Sequence, residues 1–259
     1  MNEIEKYYNK FNEDKRLKTR HGQVEFQITM SYILKYIKKL ENPKILDVGA
    51  GTGAYSISLF EKNFDVTACE LVKHNLRMLQ EKNNNIKCYQ MNALNLKKFA
   101  NNSFDVVLLL GPLYHLFSEE EKLKALFEAK RVTKPNGLIF VAYVLNDYAI
   151  ITHGFVDGFI KEAIKNKEID KNFKVIDNVK NLYSFSTIKD IKNLSKKAGL
   201  KRKKIVGVDG ATDYIRKVLN KMDNETFDIF IKYQKSICEK KELIGASSHI
   251  LDILTKNNS

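Results

Sequence analysis

No stretch of the 259-residue chain approaches the ~18 consecutive apolar residues of a membrane-spanning helix, so no membrane partner is expected. The first residues, Met1-Asn2-Glu3-Ile4-Glu5, are acidic and polar, unlike the basic and then apolar start of a secretory signal. Cysteine is scarce. Cys69, Cys88 and Cys238 are odd in number, scattered, and without metal-ligand spacing. Their pattern argues against a disulfide framework and a cysteine metal site, and suits structural thiols in a reducing cytoplasm. Internal repeats and low-complexity segments are also missing. Apolar residues, at 44%, are plentiful enough to bury a core. The length fits one large domain, or a core domain with a modest second lobe. Acidic residues are outnumbered, leaving a formal net charge of +13 that admits a nucleic-acid partner. The lysines nevertheless run along the whole chain, with dense patches only at Lys35 to Lys39 and Lys196 to Lys204. That spread reads as solvated surface, and nucleic acid is the less favoured partner.

Glycine is concentrated where it matters. Lys44-Ile45-Leu46-Asp47-Val48 is a short apolar run, and it enters Gly49-Ala50-Gly51-Thr52-Gly53. An amphipathic stretch, Tyr55 to Phe60, leaves the glycines. This reads as a buried strand, a tight turn and a helix N-terminus. Glycine allows the turn's unusual dihedrals and lets backbone approach a ligand that a Cβ would hold off.

The rest of the chain alternates strand and helix. Residues 24–40 repeat apolar side chains at helical spacing, and Asn42-Pro43 stops that helix. Asp65 to Glu70 is a second strand ending in an acid, followed by a helix with Val72, Leu76 and Leu79 on one face. Ile86 to Gln90 is a third strand. Phe104 to Leu110 is a fully apolar fourth, and Leu138 to Val144 a fifth, separated by a helix over Glu119 to Lys134. Thr187 and Asp190 form a candidate capping box, and Gly199 a helix stop, before a sixth strand at Ile205 to Val208. Helices over Asp213 to Met222 and Glu225 to Lys241 precede a last strand, Ile250 to Leu254. Alternation of this kind predicts an α/β, doubly wound sheet with right-handed crossovers. The rhythm breaks between residues 147 and 185. An insertion beyond a strand's C-terminal end lies over the crevice where such sheets bind ligands, so it is expected to be a lid or substrate lobe. Residues 1–40 are expected to form a helical arm over the site, and residues 41–259 the main domain.

Gly49, Gly51 and Ala54 satisfy the dinucleotide pattern G-x-G-x-x-[G/A], and Glu70 stands at the distance of a ribose-binding acid. Those features serve any adenosyl cofactor. Asp47, two residues before Gly49, is the discriminator: its carboxylate repels a pyrophosphate and accepts a sulfonium or ammonium. Gly53 also makes the turn tighter than a dinucleotide turn requires, and no second domain with a hydride-transfer acid is recognisable.

Leu46-Asp47-Val48-Gly49-Ala50-Gly51-Thr52-Gly53 resembles the first motif of the class I S-adenosylmethionine-dependent methyltransferases. The resemblance is strong over residues 40–146 and looser over 185–255. It implies a Rossmann-like, seven-stranded mixed sheet whose antiparallel strand is Ile250 to Leu254. It also implies S-adenosyl-L-methionine as cofactor. Gly49, Gly51 and Gly53, with Ala50 between them, would border its methionine part with Asp47 close by. Glu70 would hold the ribose hydroxyls and Leu71 would pack on adenine. Asn92 and Ala93 would lie at the adenine edge, where the family usually has Asp; Leu110 and Gly111 would lie beside the sulfonium.

Methyl transfer is an in-line displacement, for which proximity and orientation can supply ~7–11 kcal/mol without a dedicated catalytic group. Candidates for such a group follow the fourth strand: His115 as a base and Tyr114 to orient or shield the acceptor. Gly111-Pro112-Leu113-Tyr114 lacks the polar first residue typical of enzymes that methylate amide-like nitrogens, and a Pro-Cys nucleophile is missing. A small-molecule N or O acceptor is therefore the expectation. Tyr7, Tyr8, Arg16 and Arg20 in the N-terminal arm are candidates to close over cofactor or acceptor. His21 and Glu25, near the next helix, are candidates of the same kind, whereas His74, His153 and His249 have no partner visible in the sequence.

Overall fold

A computed structural model describes residues 13–257 of the chain, with side chains from residue 16. Seven strands form one sheet: β1 (Lys44–Val48), β2 (Asp65–Glu70), β3 (Lys87–Gln90), β4 (Phe104–Leu109), β5 (Thr133–Val144), β6 (Leu200–Gly207) and β7 (His249–Lys256). Their order across the sheet is β3-β2-β1-β4-β5-β7-β6. Pairing is parallel except around β7, which runs antiparallel to both β5 and β6. The predicted mixed sheet is thus observed, with its antiparallel strand three residues longer than Ile250 to Leu254.

Alternation along the strands sorts the core into two layers. On β1 and β4, Leu46, Val48, Val107 and Leu109 face one layer, with Ala125, Leu126, Ile191 and Leu194 from helices α5 (Glu119–Val132) and α8 (Ile188–Lys197). Ile45, Val106 and Leu108 face the other. They meet Ile28 and Ile33 of α2 (Arg20–Ile37), Leu59 of α3 (Ala54–Phe60), Leu79 of α4 (Lys73–Lys82) and Phe227 of α10 (Asn224–Ile237). A short α1 (Glu13–Lys18) precedes α2. Strands buried on both faces carry no polar alternation, which is why β4 was so clear in the sequence.

The chain leaves β1 toward β2 and β3 on one side, and returns to β4 and β5 on the other. Between β1 and β4 lies the switch point, where open α/β sheets leave a crevice at their C-terminal ends. Register places Asp47 there, opposite Ala68 on one side and Leu108 on the other.

Two elements depart from expectation. Residues 213–222 contain only one helical turn, α9 (Arg216–Leu219). The preceding residues are drawn into tight turns, with Thr212 N–H donating to Asp209 C=O (3.2 Å) and Tyr214 N–H to Ala211 C=O (3.1 Å). The insertion begins as α6 (Asn146–Ala149), continues as a π-helical turn over Ile150–Val156 and as α7 (Ile160–Lys165), then becomes irregular. Thr187 and Asp190 form the expected capping box, each side chain taking the other's backbone N–H, at 3.1 and 3.0 Å. No helix among the described residues is long and apolar enough to cross a membrane.

Candidate functional site

The glycine turn is built as its residue types require. Gly49, Gly51 and Gly53 have φ of +73°, +56° and +91°, a region that costs other residues strain. Their surroundings differ. A Cβ on Gly49 would stand 2.6 Å from Pro112 Cγ, and one on Gly53 2.6 Å from Leu79 Cγ. A Cβ on Gly51 would meet nothing within 4 Å. Gly51 faces open space, a cavity of about 280 Å³ at the switch point.

Asp47, Gly49, Ala50, Gly51, Glu70, Leu71, Asn92, Ala93, Leu110, Gly111, Tyr114 and His115 all line this cavity. Gly53 does not. Its left-handed backbone starts α3, and a Cβ there would meet Leu79.

Two buried carboxylates shape the cradle. Glu70 Oε2 accepts the Gly51 N–H and Oε1 the Val72 N–H, both at 2.8 Å. Burial raises its pKa against the pull of those backbone donors. Asp47, 2% exposed, accepts a 2.6 Å hydrogen bond from Ser56 Oγ. Burial, opposed by that hydroxyl and reinforced by the Glu70 charge, pushes it up to about 6. Asn92 Oδ1 takes the Leu94 N–H at 2.9 Å, leaving one lone pair of that oxygen and the amide N–H groups for a ligand.

Across the cavity stands the Tyr114–His115 wall. The Tyr114 hydroxyl donates to Leu110 C=O at 3.2 Å. His115 Nδ1 lies 2.8 Å from Leu182 C=O, which fixes the proton on that nitrogen because a carbonyl only accepts. Burial lowers its pKa to about 4. His115 is therefore neutral at pH 7. It also stacks on Tyr183 at 5.4 Å, while Tyr114 C=O accepts the Ser184 N–H at 2.8 Å. The far end of the insertion thus braces this wall. Its helical part does not: Phe155, Val156, Phe159 and Ile164 are exposed, and none of them lines the cavity.

Tyr7 and Tyr8 lie outside the described residues. Arg16 reaches the cavity, gripped by Glu25, with Nη1 2.5 Å from Oε2 and Nη2 3.4 Å from Oε1. Arg20 does not reach it. Its guanidinium lies 4.3 Å over the Phe227 ring and donates to Asn224 Oδ1 at 2.8 Å, tying α2 to α10. Sequence reasoning missed Tyr55, Asn75, Met91 and Glu121, which also line the cavity. Met91 could have been found from its place between β3 and Asn92; the other three are set by helix orientation. Among the described residues, no group of three or more His, Cys, Asp or Glu is placed to hold a metal ion.

A strand–glycine turn–helix with an acid on β1 and another on β2, on a 3-2-1-4-5-7-6 sheet, is the arrangement that the resemblance to class I S-adenosylmethionine-dependent methyltransferases implies, and the comparisons support that family over the first five strands. Residues 46–141 match the family model described as "Methyltransferase domain". The chain is 30% identical to a glycine/sarcosine N-methyltransferase of Parasynechococcus marenigrum, over 42% of this chain and 41% of that one. A demethylmenaquinone methyltransferase of Paenarthrobacter aurescens is 36% identical over 38% of each. The chain thus spans less than half the length of these curated relatives. A Thermotoga maritima structure, described as a SAM-dependent methyltransferase and possible histamine N-methyltransferase, superimposes with a TM-score of 0.60. It covers 97% of this chain and 98% of its own, at 20% identity, a likeness of fold.

Proposed function

We propose that the protein transfers a methyl group from S-adenosylmethionine to a small-molecule acceptor. The observation that carries this is the pairing of Asp47 and Glu70, two buried carboxylates, around a Gly51 that opens onto the cavity. A pyrophosphate would be repelled by both acids. A ribose diol donates hydrogen bonds to Glu70, and an ammonium or sulfonium is favoured beside Asp47. The residues present therefore fit S-adenosylmethionine, which supplies a methyl group activated by a sulfonium leaving group. The chain's own work is orientation and exclusion of water. Tyr114 and neutral His115 wall the acceptor side, and the end of the insertion, through Leu182, Tyr183 and Ser184, holds that wall in place. The 147–185 segment is in this reading a substrate lobe acting through its C-terminal end.

The test is ligand-induced stabilisation. S-adenosylmethionine and S-adenosylhomocysteine are expected to raise the melting temperature, with no shift from a nicotinamide dinucleotide. Gly51→Val, whose side chain would project into the cavity, is expected to abolish the shift while the folded circular-dichroism signature persists. Stabilisation by the dinucleotide alone would overturn the reading.

A further inference from the structure

The surface and the cavity carry opposite charge. The chain has a formal excess of 13 positive charges. Among the described residues lining the cavity, however, Glu25, Asp47, Glu70 and Glu121 face one guanidinium, that of Arg16. His115 adds no charge at neutral pH. S-adenosylmethionine, with a sulfonium, an ammonium and a carboxylate, brings one net positive charge and leaves the excess of carboxylates in place. Field lines focused into such a crevice favour a cationic second ligand and oppose a carboxylate or phosphate ester.

One of these acids is uncommitted to the cofactor cradle and unusually well held. Glu25, on α2, faces Arg16 on one side, and His249 Nδ1 is 3.9 Å from Oε2 on the other. His249 is fixed in turn by Asp209, 2% exposed, whose Oδ2 is 2.7 Å from Nδ1 and also accepts the Ser248 hydroxyl. The backbone N–H of His249 donates to Asp209 Oδ1 at 3.0 Å. Three segments far apart in sequence thus converge to orient one carboxylate at the cavity wall. The charges of His249 and Asp209 cancel each other behind it. Burial disfavours ionised Glu25, but Arg16 and His249 outweigh burial and hold it at about 2, so it is charged at any working pH. Arg16 occupies part of its capacity, since a carboxylate offers about four lone-pair sites.

We propose that Glu25 binds the methyl acceptor and that the acceptor is an amine, entering the cavity as its ammonium ion. This rests on the methyltransferase reading above. Before transfer the ammonium releases one proton to solvent. Its nitrogen lone pair then forms the new N–C bond as the C–S bond breaks, and that electron pair stays on sulfur. Asp209 and His249 are positioning residues, acting through Glu25.

The experiment uses the full chain in three steps. Calorimetry with S-adenosylhomocysteine first establishes the cofactor site; failure there refutes the methyltransferase reading itself. Ethanolamine, tyramine and dimethylamine are then titrated into the complex, alongside catechol and 4-hydroxybenzoate as neutral and anionic probes. Binding of at least one amine, weakened at least tenfold by Glu25→Gln with cofactor affinity unchanged, is the expected result. In turnover the same variant should raise KM for that amine more than it lowers kcat, and Asp209→Asn should do so to a smaller degree. Failure of every amine to bind the complex, or amine binding indifferent to Glu25→Gln in a variant of normal melting temperature, would overturn the inference.

Discussion

The two halves of the sheet solve their problems differently. The half with the proposed cofactor cradle, β1 to β4, places its groups within single connections: Asp47 and Gly51 are four residues apart, and Glu70 ends the next strand. The acceptor half builds its wall from groups that meet only in three dimensions. Glu25, Asp209 and His249 come from the N-terminal arm, the end of β6 and the start of β7, while His115 is braced from the end of the insertion. A site made from one turn is restricted to the ligand that turn fits. A site assembled from distant segments can change its ligand one segment at a time.

Breaking the cofactor half should give the largest effect. Glu70→Leu removes the acceptor of two N–H groups, and an unsatisfied buried donor costs about 1–3 kcal/mol. A loss of several kcal/mol in chemical denaturation is expected, together with at least a hundredfold weaker S-adenosylhomocysteine binding by calorimetry. Next in size is a pH effect on the acceptor side. Burial lowers the His249 pKa, but Glu25 and Asp209 overcome it and raise it to about 9. Its contribution to stability is therefore present below the unfolded pKa near 6.5 and is lost as pH rises through 9, about 1–3 kcal/mol in all. His249→Gln should flatten the fall in melting temperature between pH 7 and 9.5. The same fall in wild type and variant would show that the ion pairs contribute nothing. The smallest effect returns to the cofactor. Because Asp47 titrates near 6, cofactor binding should be level above that pH and weaken by at most about tenfold per unit below it. Calorimetry at pH 5 and 7.5 checks this, and Asp47→Asn should remove the slope.

The same contrast governs how much could be read beforehand. The strands and the glycine turn follow from apolar runs and from dihedrals only glycine tolerates, and both are local. Spacing alone does not tell that Gly51 opens onto the cavity while Gly53 packs against Leu79. His115 carried a chemistry-bearing side chain in the expected loop, yet burial and Leu182 decide its protonation, and Leu182 is 67 residues away. Arg16 and Arg20 are four residues apart but stand on different helices, α1 and α2, and one enters the cavity while the other lies on Phe227. The insertion's apolar residues were read as a lid by their pattern, but pattern does not say what they cover. His249 shows no charged partner in the sequence because Glu25 and Asp209 lie in other segments.

Strand β7 runs against its neighbours, and that has a consequence for assembly. A strand that is reversed begins where the others finish, so its first residue, His249, stands on the ligand-binding rim. It is also the last strand of the described chain, and it lies between β5 and β6 in the sheet. The cofactor cradle needs only residues that precede it. The support for Glu25 is complete only when this final strand closes the sheet.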